Sequence, residues 1–216
     1  TLLERSAHAR GRVLMAHLGN GASLCAARGG RSVATTMGFS ALDGLMMGTR
    51  SGSLDAGVLL YLMEQGWNHD RIQKLLYKQS GLLGVSGISA DMRRLRADGS
   101  PAAQRAIDQF TYRVVRESGA MAASMGGLDV LAFSGGIGEN DTVLRAQVCE
   151  QERAAHEASG FDAQDAVAEV LHAEPLGAEQ RAFFIRPTSF GADGEDACGR
   201  RTRRGFAQRT GRFVRI

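Results

Sequence analysis

The sequence predicts an α/β fold, a mixed β-sheet flanked by helices, and two observations carry that prediction. First, the apolar runs Val13 to Leu18 and Leu128 to Phe133 each empty into a small glycine-containing turn, Gly19-Asn20-Gly21 and Ser134 to Asn140. Short apolar runs bounded in this way read as buried strands. Second, an amphipathic stretch from Pro101 to Met125 stops at Gly126-Gly127 and feeds the second run. A helix leading to a strand whose carboxyl end carries a glycine turn is how α/β sheets bind nucleotides.

Residues 1–11 are polar and weakly patterned. After the first strand, Gly19-Asn20-Gly21 admits two readings. Glycine lets a ligand oxygen approach the main chain, and convergent N–H groups suit a phosphate. An Asn-Gly pair between apolar runs is equally the signal of an ordinary β-hairpin. Ala22 to Ala27 can return as a paired strand and Arg28-Gly29-Gly30-Arg31 can turn again, so a meander is expected. His17 closes the first strand, where a lone histidine is usually structural.

From Thr35 to Leu54 the residues are small and poor in branched apolar types, which predicts a long loop. Arg50 stands out in it: its planar fork of donors suits the spread charge of a transferring phosphoryl group. Asp55 to Lys78 reads as two amphipathic helices joined at Gly66-Trp67, with Asn68 and Asp70 offering a cap. Ser80 to Ser89 reads as a second small-residue loop running into Asp91-Met92-Arg93, where Asp91 by itself reads as a helix N-cap. Ile107, Phe110, Val114, Val115 and Met121 share one face of the Pro101 to Met125 helix. Glu139-Asn140-Asp141 then open a helix carrying Val143 to Val148.

Composition bounds the class. Of 216 residues, 44% are apolar, enough for a packed core. No stretch approaches the ~18 uninterrupted apolar residues of a membrane helix, and Thr1 to Arg5 lack the order of a signal peptide, so cytoplasmic residence is expected. Cys25, Cys149 and Cys198 show neither zinc-site nor disulfide-framework spacing. A net charge of +3 is too small for a nucleic-acid binder, and it comes from the arginines between Arg200 and Arg215. A basic tail of this type usually stays solvated; an RNA or membrane-surface role would rest on it alone.

Three ordered segments carry a resemblance: His17-Leu18-Gly19-Asn20-Gly21, then Thr36-Met37-Gly38-Phe39 through Gly48-Thr49-Arg50-Ser51-Gly52, then Gly136-Ile137-Gly138-Glu139-Asn140. In sequence and spacing they resemble the acetate kinase (acetokinase) family, from about residue 12 to about residue 150. The resemblance implies a lobe like those of sugar kinases, Hsp70 and actin (ribonuclease H-like). It implies phosphoryl transfer between ATP and a short-chain carboxylate, yielding acyl phosphate and ADP with Mg²⁺. His17 to Gly21 would then face the phosphates, Arg50 the developing charge, and Asp91, Met92, Arg93 and Gly136 to Asn140 the adenosine. The family carries an acidic residue where this chain has Ala34, and alanine can neither hold the loop nor orient a phosphate-side group. A homodimer packing through this region is also implied.

Three segments follow: 1–11 as the remnant of a connection to an N-terminal domain, 12–150 as the nucleotide-binding domain, and 151–216 as a degenerate tail. The chain opens without methionine in a connecting segment, so it is read as the C-terminal half of a longer enzyme. Beyond Glu150 the apolar period fails; the resemblance implies a strand and then paired acids, one a glutamate beside the magnesium, but Ile185 to Ser189 only echo the strand and Phe190-Gly191 stand where the acids would follow. A diverged or disordered tail and a shifted reading frame both fit, and the shifted frame is favoured. A rival class is a non-catalytic nucleotide-binding or dimerising module.

Overall fold

Three strands open the chain as the expected meander. β1 (Arg12–Leu18), β2 (Ala22–Arg28) and β3 (Arg31–Thr35) pair antiparallel in sequence order. Between β2 and β3, Gly29 and Gly30 take φ of 58° and 77°, as a tight hairpin turn with two left-handed positions requires. The computed structural model describes residues 7–159, 167–170 and 183–184. The expectations for Ile185 to Ser189, for the basic tail and for a disordered or shifted-frame end lie outside the described residues.

β4 (Val130–Ser134) pairs parallel with β1, β5 (Val167–Val170) parallel with β4, and β6 (Phe183–Phe184) antiparallel with β5. The sheet order is β3-β2-β1-β4-β5-β6, a mixed sheet in an α/β fold. Alternation along the strands sets its two faces. Leu14, Ala16, Leu18, Leu131 and Phe133 point into the main core, whereas Val13, Val130 and Ala132 form a small cluster with Met15.

The helices are α1 (Ala56–Glu64), α2 (His69–Lys78), α3 (Gly81–Ser86), α4 (Met92–Asp98), α5 (Pro101–Met125), α6 (Gly135–Asn140) and α7 (Thr142–Ser159). Asp55, Asn68 and Ser100 cap α1, α2 and α5 through backbone N–H groups of Gly57, Arg71 and Ala103. In α5 the predicted stripe is buried at Ile107, Phe110, Val114 and Met121, and Gly126 ends the helix in the left-handed region at φ 77°. β1 and β4 are locked at their starts, where Arg12 Nη2 meets Asp129 Oδ1 at 2.5 Å and Arg12 Nη1 donates to the Gly126 carbonyl at 2.6 Å. Burial raises the Asp129 carboxyl, but the Arg12 hydrogen bonds and charge outweigh it and hold it below its ordinary value. No helix among the described residues is long and apolar enough to cross a membrane.

Three expectations are corrected. Ser80 to Ser89 is not all loop, because Gly81–Ser86 is helical. Likewise the glycine bend after β4 is the short helix α6. Glycine disfavours a helix, but packing overrides it: Leu82 is fully buried, and a Cβ on Gly138 would lie 3.6 Å from the Ala16 carbonyl oxygen and from Cβ of Leu18 and Phe133. Third, helical structure does not stop where the apolar period does, since α7 runs to Ser159. Its stripe continues from Leu144, Val148 and Cys149 to Glu152, which is 1% exposed. The apolar period fails because a carboxyl side chain fills a core position. Burial pushes the Glu152 carboxyl up to about 7 and the Cys149 thiol up to about 12.

Candidate functional site

The β1–β4 register decides where the two glycine segments stand. Residues 17 and 134 are partners in that parallel pair, so the segments that follow them leave the sheet side by side. His17 Nδ1 lies 3.1 Å from Ser134 Oγ. A Cβ on Gly135, where φ is 80°, would fall 2.7 Å from the Leu18 carbonyl oxygen, and one on Gly19 would fall 3.8 Å from the Gly136 nitrogen. At Gly135 the close approach and the positive φ need a residue without a side chain, whereas at Gly19 the contact is an ordinary one.

These segments form one side of a cleft of about 770 Å³. Gly19 and Asn20 supply the end at β1; Gly136, Ile137, Asn140, Asp141, Thr142 and Val143 supply the wall from α6 and the start of α7; Ala90, Asp91, Met92, Arg93 and Arg96 supply the opposite wall at α4. Of the residues singled out in the sequence, Gly19, Asn20, Asp91, Met92, Arg93, Gly136, Ile137 and Asn140 thus meet in one place.

The others stand nearby with different duties. The Leu18 side chain is fully buried in the core and Gly138 is packed against β1 and β4, so neither offers a side chain to the cleft. Glu139 Oε1 turns back to accept the Gly135 N–H at 3.1 Å, and Asn140 Nδ2 donates to the Gly136 carbonyl at 2.8 Å. Gly19 spends its N–H on the Gly21 carbonyl at 2.9 Å, which removes one of the donors expected to face an anion.

Arg50 sits beyond the turn. Its Nη1 donates to the Ala41 carbonyl at 3.1 Å, and it would lie 3.8 Å from a Cβ placed on Gly21. The loop that carries it is irregular, as predicted, yet it is anchored: Leu45, Met46 and Met47 are buried in the core. Gly48 donates its N–H to the Asn20 carbonyl at 3.0 Å, stitching this loop to the Gly19-Asn20-Gly21 turn. Ala34, on β3, packs partly buried against the core.

At the α4 wall, Asp91 is the N-cap, and its Oδ1 accepts the Arg93 N–H at 2.9 Å. Arg93 Nη2 also donates to Asp91 Oδ2 at 2.7 Å. Hydrogen bonding from the Arg93 side chain, first of several causes, holds the Asp91 carboxyl down at about 2. Sequence reasoning missed Arg96 and Asp141, joined at 2.7 Å. No local pattern marks them, since the contact links residues 45 positions apart. Among the described residues no group of three His, Cys, Asp or Glu could hold a metal ion.

Comparison with known proteins gives a consistent answer. A family model described as "Acetokinase family" matches residues 1–169, reaching past the resemblance legible in the sequence. The acetate kinase of Rhodopseudomonas palustris is 60% identical over 144 residues, 66% of this chain and 36% of that protein. The acetate kinase of Nitrobacter hamburgensis is 53% identical over the same shares. The chain therefore spans about 36% of the length of these curated relatives. Among solved structures, Porphyromonas gingivalis acetate kinase superposes with a TM-score of 0.68 at 36% identity, covering 76% of this chain and 46% of that one. A propionate kinase from Francisella tularensis gives 0.65 at 34% identity with the same coverage.

Proposed function

The chain belongs to the acetokinase family, and from that premise we propose that it is the nucleotide-binding part of a kinase moving a phosphoryl group between ATP and acetate. The observation that carries this reading is the convergence of the Gly19 and Gly136 segments on one cleft, with the Arg50 loop tied to the first of them.

In this reading the nucleoside lies between the α4 wall and the α6 wall, against Asp91, Met92, Arg93, Gly136, Ile137 and Asn140. The phosphates run toward Gly19 to Gly21 and His17, whose Nε2 stands 3.9 Å from where a Gly19 Cβ would be. A carboxylate oxygen of acetate attacks the γ-phosphorus, the bond to the bridging oxygen breaks, and ADP leaves. Little covalent chemistry is asked of the protein, so catalysis is positioning and charge stabilisation. Arg50 is the group for that role: it swings from the Ala41 carbonyl to the equatorial oxygens, where its fork of donors offsets the developing charge.

The family implies Mg²⁺ as the companion of ATP. Such an ion would be held largely by the nucleotide phosphates and water rather than by a dedicated cluster of protein ligands, of which the described residues hold none of three His, Cys, Asp or Glu.

By itself the chain binds nucleotide, and turnover needs the remainder of the enzyme; its share of its relatives' length supports this. The protein works in the cytoplasm as a homodimer, and the exposed Leu60, Tyr61 and Met63 on α1, which buries no residue, support pairing through this region. Titration with ADP beside a hydroxamate assay for acyl phosphate tests the reading. ADP binding by the chain, with turnover only in the complete enzyme, is the expected result; absence of ADP binding refutes it.

A further inference from the structure

The two walls of the cleft are joined by one ion pair that the proposed chemistry does not use. Arg96 leaves the last turn of α4, and its Nε donates to Asp141 Oδ2 at 2.7 Å. Asp141 is fixed three ways on the other wall. Its N–H donates to the Ile137 carbonyl at 2.8 Å, its carbonyl accepts from Arg145 at 3.1 Å, and its Oδ1 accepts the Leu144 N–H at 2.9 Å. The Asp141 side chain is 9% exposed and that of Arg96 28%, so solvent screens the pair less than a surface contact. On the α4 side, Met92 and Leu95 are buried and hold the helix to the core. The two partners thus stand on different walls, and the bond between them bridges the cleft.

The contact is also one-armed. Arg96 Nη2 is buried and makes no hydrogen bond among the described residues.

We propose that Arg96 and Asp141 are a positioning pair for the nucleoside: they fix the gap between α4 and α6, and so set affinity for the nucleoside portion of ADP and ATP without touching the phosphate end. The proposal rests on the nucleotide reading above. It adds that this chain's discrimination between a nucleoside phosphate and a bare phosphate chain is carried by a contact between α4 and the residue that ends the second glycine segment.

The test is calorimetric titration of the 216-residue chain with ADP and with inorganic pyrophosphate. The variants are Arg96→Gln, Asp141→Asn, the double variant and Arg96→Lys. Asparagine caps helices as well as aspartate does, so Asp141→Asn removes the charge and keeps the α7 cap. Each single variant is expected to weaken ADP roughly tenfold, the double variant no further, with pyrophosphate affinity unchanged and Arg96→Lys recovering part of the loss. Equal loss for both ligands, losses that add in the double variant, or unchanged ADP affinity would overturn the proposal while leaving the nucleotide reading intact. A wild-type chain that fails to bind ADP overturns both.

Discussion

Replacing Gly81 by alanine tests whether the Arg50 loop is held by backbone contact. Gly81 opens α3 with φ of 64° and is buried against that loop. A Cβ there would lie 2.8 Å from the Arg50 carbonyl oxygen and 3.0 Å from the Gly48 carbonyl carbon, and closer still to the Met47 carbonyl oxygen. The same loop is held by N–H donation from Leu82 to Met47 at 2.9 Å and from Leu83 to Gly48 at 3.0 Å. No flexible side chain can yield, so the loop must move. The left-handed backbone costs alanine roughly 1–2 kcal/mol, and overpacking adds roughly 1–3 kcal/mol. Gly99→Ala is the control: φ is 65° there, but nothing lies within 4 Å of the new Cβ, so only the first cost applies. Urea denaturation should show Gly81→Ala less stable than Gly99→Ala by about 1–3 kcal/mol. In the complete enzyme, a shift of about 1 Å at Arg50 should lower kcat about a hundredfold. Equal destabilisation by the two substitutions, or full activity of Gly81→Ala, would refute the argument.

In the role proposed for Arg50 its charge is needed mainly in the transition state, so Arg50→Ala in the complete enzyme should lower kcat by roughly 10³ with little change in KM for ATP; a larger effect on KM than on kcat would remove it from that role. Asp91→Ala takes away the α4 cap and the partner of Arg93, and should weaken ADP binding severalfold by calorimetry. Arg93 holds the Asp91 carboxyl at about 2, so its contribution is present at neutral pH and fades only as pH falls toward that value; wild-type ADP affinity should show no step from this group above about pH 4. Glu152 behaves oppositely. Its folded value is raised from 4.5 to about 7, so its stabilising contribution is intact below the unfolded value and is lost as pH rises through neutrality, up to about 3 kcal/mol. Glu152→Gln should flatten that slope in denaturation at pH 5 and pH 8; an unchanged slope would show that another group carries it.

Much was legible because it is written in neighbouring residues. Alternation from Val13 to Leu18, the stripe from Ile107 to Met121 and the turn at Gly29-Gly30 are local patterns, and β1, α5 and the meander follow them. The motif residues could be named for the same reason. Their arrangement could not: Gly19 meets Gly136 only because β1 and β4 pair in parallel with residue 17 beside residue 134. Local propensity even pointed away from α3 and α6, whose glycines become helical where packing against the core and the Arg50 loop outweighs their conformational freedom. Glu152 likewise reads as the end of an apolar period and turns out to sit in the core. The sequence by itself determined the strands of the meander, β4 and the long helix α5, whose patterns are local, and the motif segments that carry the family resemblance. Only tertiary structure decided which of them share a cleft and that Arg96 bridges to Asp141, because those relations are contacts between residues distant along the chain, and no local pattern encodes a distant partner.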